Sequence, residues 1–286
     1  NPFSSRCCQH NHAQGWPYFS EHLVLATPDN GVATAIYGAC KATVKVGQGK
    51  EIVLNEQTNY PFEEGITFTV STGEKVAFPF YLRIPSWTQK AEVRVNGKKV
   101  SAAPVAGKYL CINREWANGD RVELTLPMSL SMRTWQVNKN SVSVDYGPLT
   151  LSLKIAEKYV EKDSRETAIG DSKWQKGADS KKWPTTEIYP DSPWNYSLVL
   201  DKKEPLKNFK VIRKSWPADN YPFTVTSVPL EVKAIGRPVP EWKIDETGLC
   251  GVLPEEDAVK GDKEEITLIP MGAARLRISA FPNTKE

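Results

Sequence analysis

The sequence predicts a mainly β protein made of β-sandwich domains, with helix confined to about the first 30 of its 286 residues. Three observations support this class. From Gly31 onward apolar residues alternate with polar ones, which is the period of a strand with one buried face. Turn residues interrupt the alternation about every 8–12 residues, as in a β-sandwich. Beyond residue 209 the strand pattern returns, so β structure extends into the C-terminal part.

Residues 1–30 differ from the rest, because they hold all three histidines and two of the five cysteines. We expect one or two helical turns, a break near Gly15-Trp16-Pro17, and then a short helix that ends before Pro28-Asp29-Asn30-Gly31. The helical spacing of apolar residues after Pro17 supports the second helix.

The first β region covers residues 31–153 and is expected to form one sandwich. Its strand candidates are Val32–Tyr37, Ala42–Val46, Ile52–Glu56, Ile66–Val70, Val76–Ile84, Ala91–Val95, Tyr109–Ile112, Arg121–Leu126, Ser131–Trp135, Ser141–Asp145 and Leu149–Leu153. Asn96-Gly97 favours a tight hairpin, because these residues tolerate positive φ. The residues expected to face the core are Val93, Val95, Val122, Leu124 and Leu126. Further residues expected to fill the interior of the β segments are Trp87, Trp116, Trp135, Cys40, Cys111 and Cys250.

Residues 154–208 interrupt this pattern and are rich in Lys, Asp and Ser. Such a stretch is either a linker or an excursion that packs on its own aromatic residues, and three tryptophans favour the excursion. Residues 209–286 are predicted to complete a second β layer or a small β domain. Its strand candidates are Val211–Arg213, Thr224–Val228, Leu230–Ile235, Ile266–Ile269 and Leu276–Ala280.

Composition excludes several classes of protein. With 40% hydrophobic and 25% charged residues, the chain resembles an ordinary folded protein and not a disordered one. Its 37 basic residues against 34 acidic ones are spread along the chain, so nucleic acid is not an expected partner. No apolar run reaches the roughly 18 residues of a membrane helix. No targeting segment is recognisable, so the compartment is left open, with a periplasmic or extracellular location favoured over the cytoplasm.

The segment Arg6-Cys7-Cys8-Gln9-His10-Asn11-His12 is the first candidate for chemistry. A thiolate is both a zinc ligand and a nucleophile, and a nearby cation lowers the pKa of a thiol. The competing interpretation is two small buried residues beside polar helix residues. Likewise, His10 and His12 are either ligands or polar residues at a helix end. The spacing is not that of a zinc finger, because no second Cys or His pair follows.

Two acidic clusters, Glu63-Glu64 and Glu255-Glu256-Asp257, could be mistaken for the carboxylates of a glycosidase. Each lies beside turn residues, and adjacent positions on a strand point to opposite faces. We therefore interpret both as solvated loop charge.

Several segments carry a resemblance to a known family. They are Cys7-Cys8-Gln9-His10-Asn11, Gly15-Trp16-Pro17-Tyr18, Ala26-Thr27-Pro28-Asp29-Asn30-Gly31, Tyr60-Pro61-Phe62, Phe80-Tyr81-Leu82-Arg83-Ile84-Pro85-Ser86-Trp87, Val95-Asn96-Gly97, Asp145-Tyr146-Gly147-Pro148-Leu149 and Leu268-Ile269-Pro270-Met271-Gly272-Ala273. In this order they resemble glycoside hydrolase family 127, the β-L-arabinofuranosidase family. The resemblance covers nearly the whole chain and is weakest over residues 155–208.

The resemblance implies a retaining glycosidase with a zinc-bound cysteine nucleophile. By the match, Cys7 would attack the anomeric carbon and ligate zinc, and Cys8 would be a further ligand. The remaining ligands and the acid/base Glu would lie upstream, in an (α/α)6 barrel of which residues 1–30 are the end. The partners implied are that barrel and an arabinose-containing glycan, so this chain alone is expected to be inactive.

A second hypothesis comes from a different class. The chain could be a non-catalytic carbohydrate-binding or scaffold β-sandwich protein that retains the Cys-Cys helix as a docking element. The two hypotheses differ in whether the reading frame continues upstream into several hundred residues of helical hairpins that carry further zinc ligands.

Overall fold

The computed structural model describes residues 8–166, 173–255, 258 and 260–285, with the side chains of Cys8–His10 and His12 excepted. The described residues are mainly β. They divide into two compact units, of which the first ends at Ser129 and the second begins at Leu130. None of the helices among the described residues is long and apolar enough to cross a membrane.

The first unit contains one helix and ten strands within its described residues. These elements are α1 (Cys8–Glu21), β1 (Val24–Ala26), β2 (Val32–Thr34), β3 (Cys40–Val46), β4 (Lys50–Thr58), β5 (Gly65–Thr72), β6 (Val76–Arg83), β7 (Glu92–Val95), β8 (Lys98–Lys99), β9 (Tyr109–Trp116) and β10 (Arg121–Thr125). One sheet has the order β1-β2-β6-β9 and the other the order β3-β4-β5-β10-β7-β8. All neighbours are antiparallel except β2 and β6, so the expected sandwich topology is confirmed.

The core of the first unit lies between these two sheets. The rings of Phe68 on β5 and Phe80 on β6 meet edge to face, with their centroids 5.4 Å apart. In β10, Leu124 pairs with Val93 of β7 on one side and with Ile66 of β5 on the other. All five residues expected to face the core, Val93, Val95, Val122, Leu124 and Leu126, are buried. The period-two interpretation therefore set the correct register.

Trp116 is fully buried as expected, whereas Trp135 is 41% exposed. The indole N–H of Trp116 donates to the Phe78 carbonyl oxygen at 3.0 Å, so its polar group is satisfied in the core. Trp135 lies on an edge strand of the second unit, where its indole N–H donates to Ser143 Oγ. The expectation of a core position was wrong for Trp135, because a strand pattern does not distinguish edge from centre.

The cysteines expected to fill the interior of the β segments also differ from that expectation. Cys40 is half-buried, but Cys111 and Cys250 are exposed. Cys111 occupies an outward position of β9, whose inward neighbours are Leu110 and Ile112. Alternation along the strand therefore contradicts the space-filling role for Cys111.

The expected break at Gly15-Trp16-Pro17 is absent, since α1 continues to Glu21 with Pro17 inside it. Pro17 removes only its own N–H donor, and the residues beyond it keep a helical backbone. The expected second helix is helical only up to Glu21, as the end of α1, and its C-terminal part forms β1, in which Leu25 pairs with Ala33 of β2. Pairing with a neighbouring strand overrides the local helical spacing here.

The second unit contains ten further strands within its described residues. They are β11 (Leu130–Trp135), β12 (Ser141–Tyr146), β13 (Leu149–Leu153), β14 (Glu157–Lys162), β15 (Thr185–Pro190), β16 (Tyr196–Leu200), β17 (Lys210–Arg213), β18 (Leu230–Pro238), β19 (Glu264–Pro270) and β20 (Asn283–Lys285). The main sheet has the order β11-β12-β13-β19-β18-β16-β20, with β17 also paired to β18, and β14 and β15 form a separate ribbon. Residues 130–153, which the sequence analysis placed in the first sandwich, pair in this sheet.

The excursion over residues 154–208 is structured in its described part. It supplies the β14–β15 ribbon and the fully buried strand β16, and Trp194 packs edge to face on Trp242 with ring centroids 5.1 Å apart. Two expected strands, Thr224–Val228 and Leu276–Ala280, are absent. In the first, Thr224 Oγ1 accepts the Ser227 N–H and forms a turn instead.

Candidate functional site

The cysteine segment lies at the beginning of the described residues. Cys7 is outside them, and Cys8 is the first residue of α1, although its side chain is not described. From Cys8 onward the segment is helical, as expected. Further along α1, the rings of Trp16, Tyr18 and Phe19 are 61%, 64% and 44% exposed. The roles assigned to Cys7 and Cys8 stay predictions.

A structural zinc site has four protein ligands, and a catalytic one has at least three with a further position open. Within the part of the chain that the structure describes, no three His, Cys, Asp or Glu side chains come together as a metal site. Cys7 and Cys8 supply at most two thiolates, and the described side chains do not complete a zinc site for them. A zinc site that uses the two cysteines needs further ligands, and the side chains of the candidates His10 and His12 lie outside the described part of the structure.

The acidic clusters occupy structural positions where they are described. Glu63 is exposed, as expected for loop charge. Glu64 accepts the Met128 N–H at 3.0 Å, and Glu255 forms an ion pair of 2.7 Å with Lys139. Glu256 and Asp257 lie outside the described residues. Neither cluster forms the facing carboxylate pair of a glycosidase among described side chains.

One buried carboxyl group was missed by the sequence analysis. Glu56 is only 2% exposed, and its position in β4 is in phase with the buried residues Ile52 and Leu54. Its Oε1 atom accepts the Gly38 N–H at 2.9 Å, and its Oε2 atom lies 3.9 Å from Cys40 Sγ. The sequence did contain a signal for this burial, because Glu56 occupies the alternate position after Ile52 and Leu54, which face the core.

Burial dominates the protonation of this pair. It raises the pKa of Glu56 to about 8, because the charged carboxylate loses its water and gains only one backbone donor and one thiol. Burial also raises the pKa of Cys40 to about 11, and the neighbouring Glu56 adds to that shift. At neutral pH Glu56 is therefore mainly a neutral acid and Cys40 an unreactive thiol.

We expect Glu56 to make the stability of the first unit depend on pH. Because its folded pKa of about 8 lies above the ordinary 4.5, the fold favours the neutral acid. That contribution is complete below pH 4.5 and is lost as the pH rises to about 8. The wild-type free energy of unfolding should fall by about 3–5 kcal/mol over this window, and Glu56→Gln should remove that part of the decrease.

Denaturant unfolding of both proteins across this pH range measures the difference. Glu63→Gln, on the exposed loop, is the matched control and should follow the wild-type profile. A Glu56→Gln profile parallel to the wild type would mean that Glu56 is ionised in the fold.

The outer face of the four-stranded sheet carries an open groove of about 520 Å³. The Tyr81 hydroxyl donates to Asp29 Oδ2 and the Thr27 hydroxyl donates to Asp29 Oδ1, both at 2.5 Å. These two donors hold the pKa of the exposed Asp29 carboxyl below its usual range. Tyr109, half exposed, lines the same groove. Both carboxylate oxygens of Asp29 are thus bonded within the protein, and the groove does not indicate a catalytic or binding site.

The fold places the chain in the class of mainly antiparallel β-sandwich proteins. It has two compact units, and a helix precedes the first strand. Residues 31–128 match the family described as "Beta-L-arabinofuranosidase, GH127 middle domain". The match confirms the resemblance to glycoside hydrolase family 127 over these residues. No curated protein sequence matches the chain.

Solved structures share the fold over most of the chain. A GH127 β-L-arabinofuranosidase from Geobacillus stearothermophilus T6 is 20% identical, with a TM-score of 0.63 over 97% of this chain and 37% of that one. A glycoside hydrolase is 21% identical, with a TM-score of 0.64 over 99% and 40%. A further GH127 β-arabinofuranosidase is 22% identical, with a TM-score of 0.57 over 90% and 36%. At these identities the likeness establishes the fold, and the chain spans well under half of each.

Proposed function

We propose that the chain is the C-terminal part of a retaining glycoside hydrolase. The whole protein would remove terminal β-L-arabinofuranose, or a related sugar, from an arabinose-containing glycan. The observation that supports this most is the match of residues 31–128 to the GH127 middle domain, with the Cys7-Cys8-Gln9-His10-Asn11 segment earlier in the chain. The solved proteins of the same fold are glycoside hydrolases, which supports the same class.

In this proposal Cys7 is the nucleophile. Its thiolate attacks the anomeric carbon, so that a C–S bond forms while the glycosidic C–O bond breaks, and a glutamic acid upstream gives its proton to the leaving oxygen. Water then attacks the same carbon, the C–S bond breaks, and the carboxylate takes the proton of that water. Zinc, when bound by Cys7, Cys8 and upstream ligands, would keep the thiol deprotonated at neutral pH.

The proposal places the proton donor and half of the metal site outside this chain. The similar solved structures are two to three times longer, since the chain covers 36–40% of them. We expect the whole protein to hydrolyse an aryl β-L-arabinofuranoside and the 286-residue chain to show no turnover. Both should be assayed at equal protein and zinc concentrations.

Circular dichroism of the 286-residue chain is the control, because a folded but inactive chain supports the proposal. Turnover by that chain alone would contradict the need for a proton donor elsewhere. Absence of turnover by the whole protein, combined with binding of the glycan, would favour the non-catalytic carbohydrate-binding alternative.

A further inference from the structure

Two cavities adjoin in the second unit. The larger, of about 640 Å³, and the smaller, of about 210 Å³, share Ile155 and Arg275 in their walls. Together they have the size and the mainly apolar lining of a ligand site with a few polar groups. The loops before and after the central strands form the walls, so the site belongs to the second unit alone.

Two arginines face the smaller cavity, and both have donors to spare. Arg277 uses its Nε atom to donate to the Ala274 carbonyl oxygen at 2.8 Å. No carboxylate among the described residues forms an ion pair with Arg277, whose side chain is exposed. Arg275 lies 3.9 Å from Glu157 Oε2, which is long for an ion pair, and is 39% exposed. The smaller cavity therefore has a surplus of positive charge.

The Glu157 carboxylate offsets the charge of Arg275 alone, and its two oxygens also accept hydrogen bonds from neutral donors. Oε1 accepts the backbone N–H of Arg275 at 3.1 Å, and Oε2 accepts the Tyr159 hydroxyl at 2.5 Å. The Glu157 side chain is only 4% exposed. It therefore fixes the backbone at Arg275 and leaves most of the guanidinium donors directed to solvent or ligand.

An aromatic side chain lines the smaller cavity together with the arginines. Trp194 lines it and is supported from behind by the buried ring of Trp242. The Trp242 indole N–H donates to the Gly251 carbonyl oxygen at 3.0 Å, and Asn195 donates to the carbonyl oxygens of Val239 and Trp242. These bonds hold Trp194 in place without a ligand, which lowers the entropic cost of binding.

The rim of the same cavity exposes apolar side chains on an ordered loop. Leu249 is 66% exposed and Ile244 is 45% exposed. Asp245 Oδ1 accepts the N–H groups of Thr247 and Leu249, at 2.9 and 3.0 Å, and so fixes the loop that carries them. The site thus combines an apolar surface with two guanidinium groups, and that of Arg277 has no carboxylate partner among the described residues.

We propose that this cavity binds an acidic sugar unit, a uronic acid residue of a glycan. The planar carboxylate fits the fork of a guanidinium group, with two parallel N–H···O bonds. The C–H face of the sugar ring fits the Trp194 side chain, and the hydroxyl groups of Tyr159 and Ser192 in the larger cavity suit a neighbouring sugar. The inference rests on the proposed function, since it specifies that the glycan substrate carries carboxylates.

Binding of trigalacturonate to the whole protein tests the proposal by calorimetry, with its methyl ester and a neutral galactotriose as comparison ligands. We expect the acid to bind and the ester and galactotriose to bind at least tenfold more weakly. Arg277→Gln and Trp194→Ala should each weaken binding of the acid by about tenfold or more. Arg121→Gln, which changes an exposed arginine of the first unit, is the matched control and should bind as the wild type does.

Thermal melting of each variant separates loss of the site from loss of the fold, and Arg277→Gln should melt with the wild type because its side chain is exposed. Equal binding of acid and ester, or unchanged binding by Arg277→Gln, would overturn the proposal. Turnover of the aryl arabinofuranoside is measured on the same preparations. Turnover without uronate binding overturns this inference alone, whereas uronate binding without turnover overturns the proposed hydrolase function alone.

Discussion

Replacing Cys7 by serine in the whole protein is expected to reduce hydrolysis of an aryl β-L-arabinofuranoside by three orders of magnitude or more, to about the background rate. A serine hydroxyl is far harder to deprotonate than a thiol. Because the C–O bond is shorter than the C–S bond, the serine oxygen does not reach the position of the cysteine sulfur. The substitution therefore weakens the nucleophile and the metal ligand together. Cys8→Ser should also lower kcat, mainly through loss of zinc.

The exposed thiol Cys111 supplies the matched control for this experiment. Cys111→Ser changes the same functional group on an outward position of β9, and we expect full activity. Zinc content of every variant is measured by mass spectrometry, so that loss of metal is separated from loss of the nucleophile. Full activity of Cys7→Ser at normal zinc content would contradict the nucleophile assignment.

The second large effect concerns stability, because Leu124 lies at the centre of the first unit. Its side chain is 1% exposed and belongs to the core cluster between the two sheets. Leu124→Ala removes buried apolar groups and leaves a cavity, so the free energy of unfolding should fall by about 2–5 kcal/mol. Guanidinium chloride unfolding, followed by tryptophan fluorescence, measures this change.

Thr125→Ala is the control for Leu124→Ala, since Thr125 is the next residue of β10 and is exposed. Its effect should stay within about 0.5 kcal/mol, as for most surface substitutions. A Leu124→Ala protein as stable as Thr125→Ala would mean that β10 does not present Leu124 to the core.

Much of the first unit could be predicted from the sequence, because period-two alternation directly reports which strand face is buried. Leu124 and Val122 show this, and both are buried as expected. The Asn96-Gly97 hairpin was predicted and joins β7 to β8, whereas the strands β1, β14, β15, β16 and β20 were not predicted. β16 is buried on both faces and so has no alternation, and β20 pairs in parallel with β16, far away in the sequence. Such pairings depend on tertiary contacts that a local pattern does not contain.

The candidate site was less predictable. The roles of Cys7 and Cys8 came from the resemblance to a family, because two adjacent cysteines are also compatible with a structural role. Glu56 was missed although it continues the inward alternation of β4, since a carboxyl group is rarely expected at a buried position. Arg275 and Arg277 meet Trp194 only through long-range packing in the second unit. A site made of residues that lie far apart in the sequence cannot be recognised from the sequence alone.

Mapping the covalent intermediate in the whole protein tests the central claim most directly. The protein is mixed with a slowly hydrolysed aryl β-L-arabinofuranoside, quenched in acid during turnover, digested, and sequenced by tandem mass spectrometry. The account predicts one pentosyl group attached through a thioether to Cys7, and none after Cys7→Ser. A pentosyl ester on a glutamate or aspartate, or a pentosyl group on Cys8 with Cys7 unmodified, would contradict it.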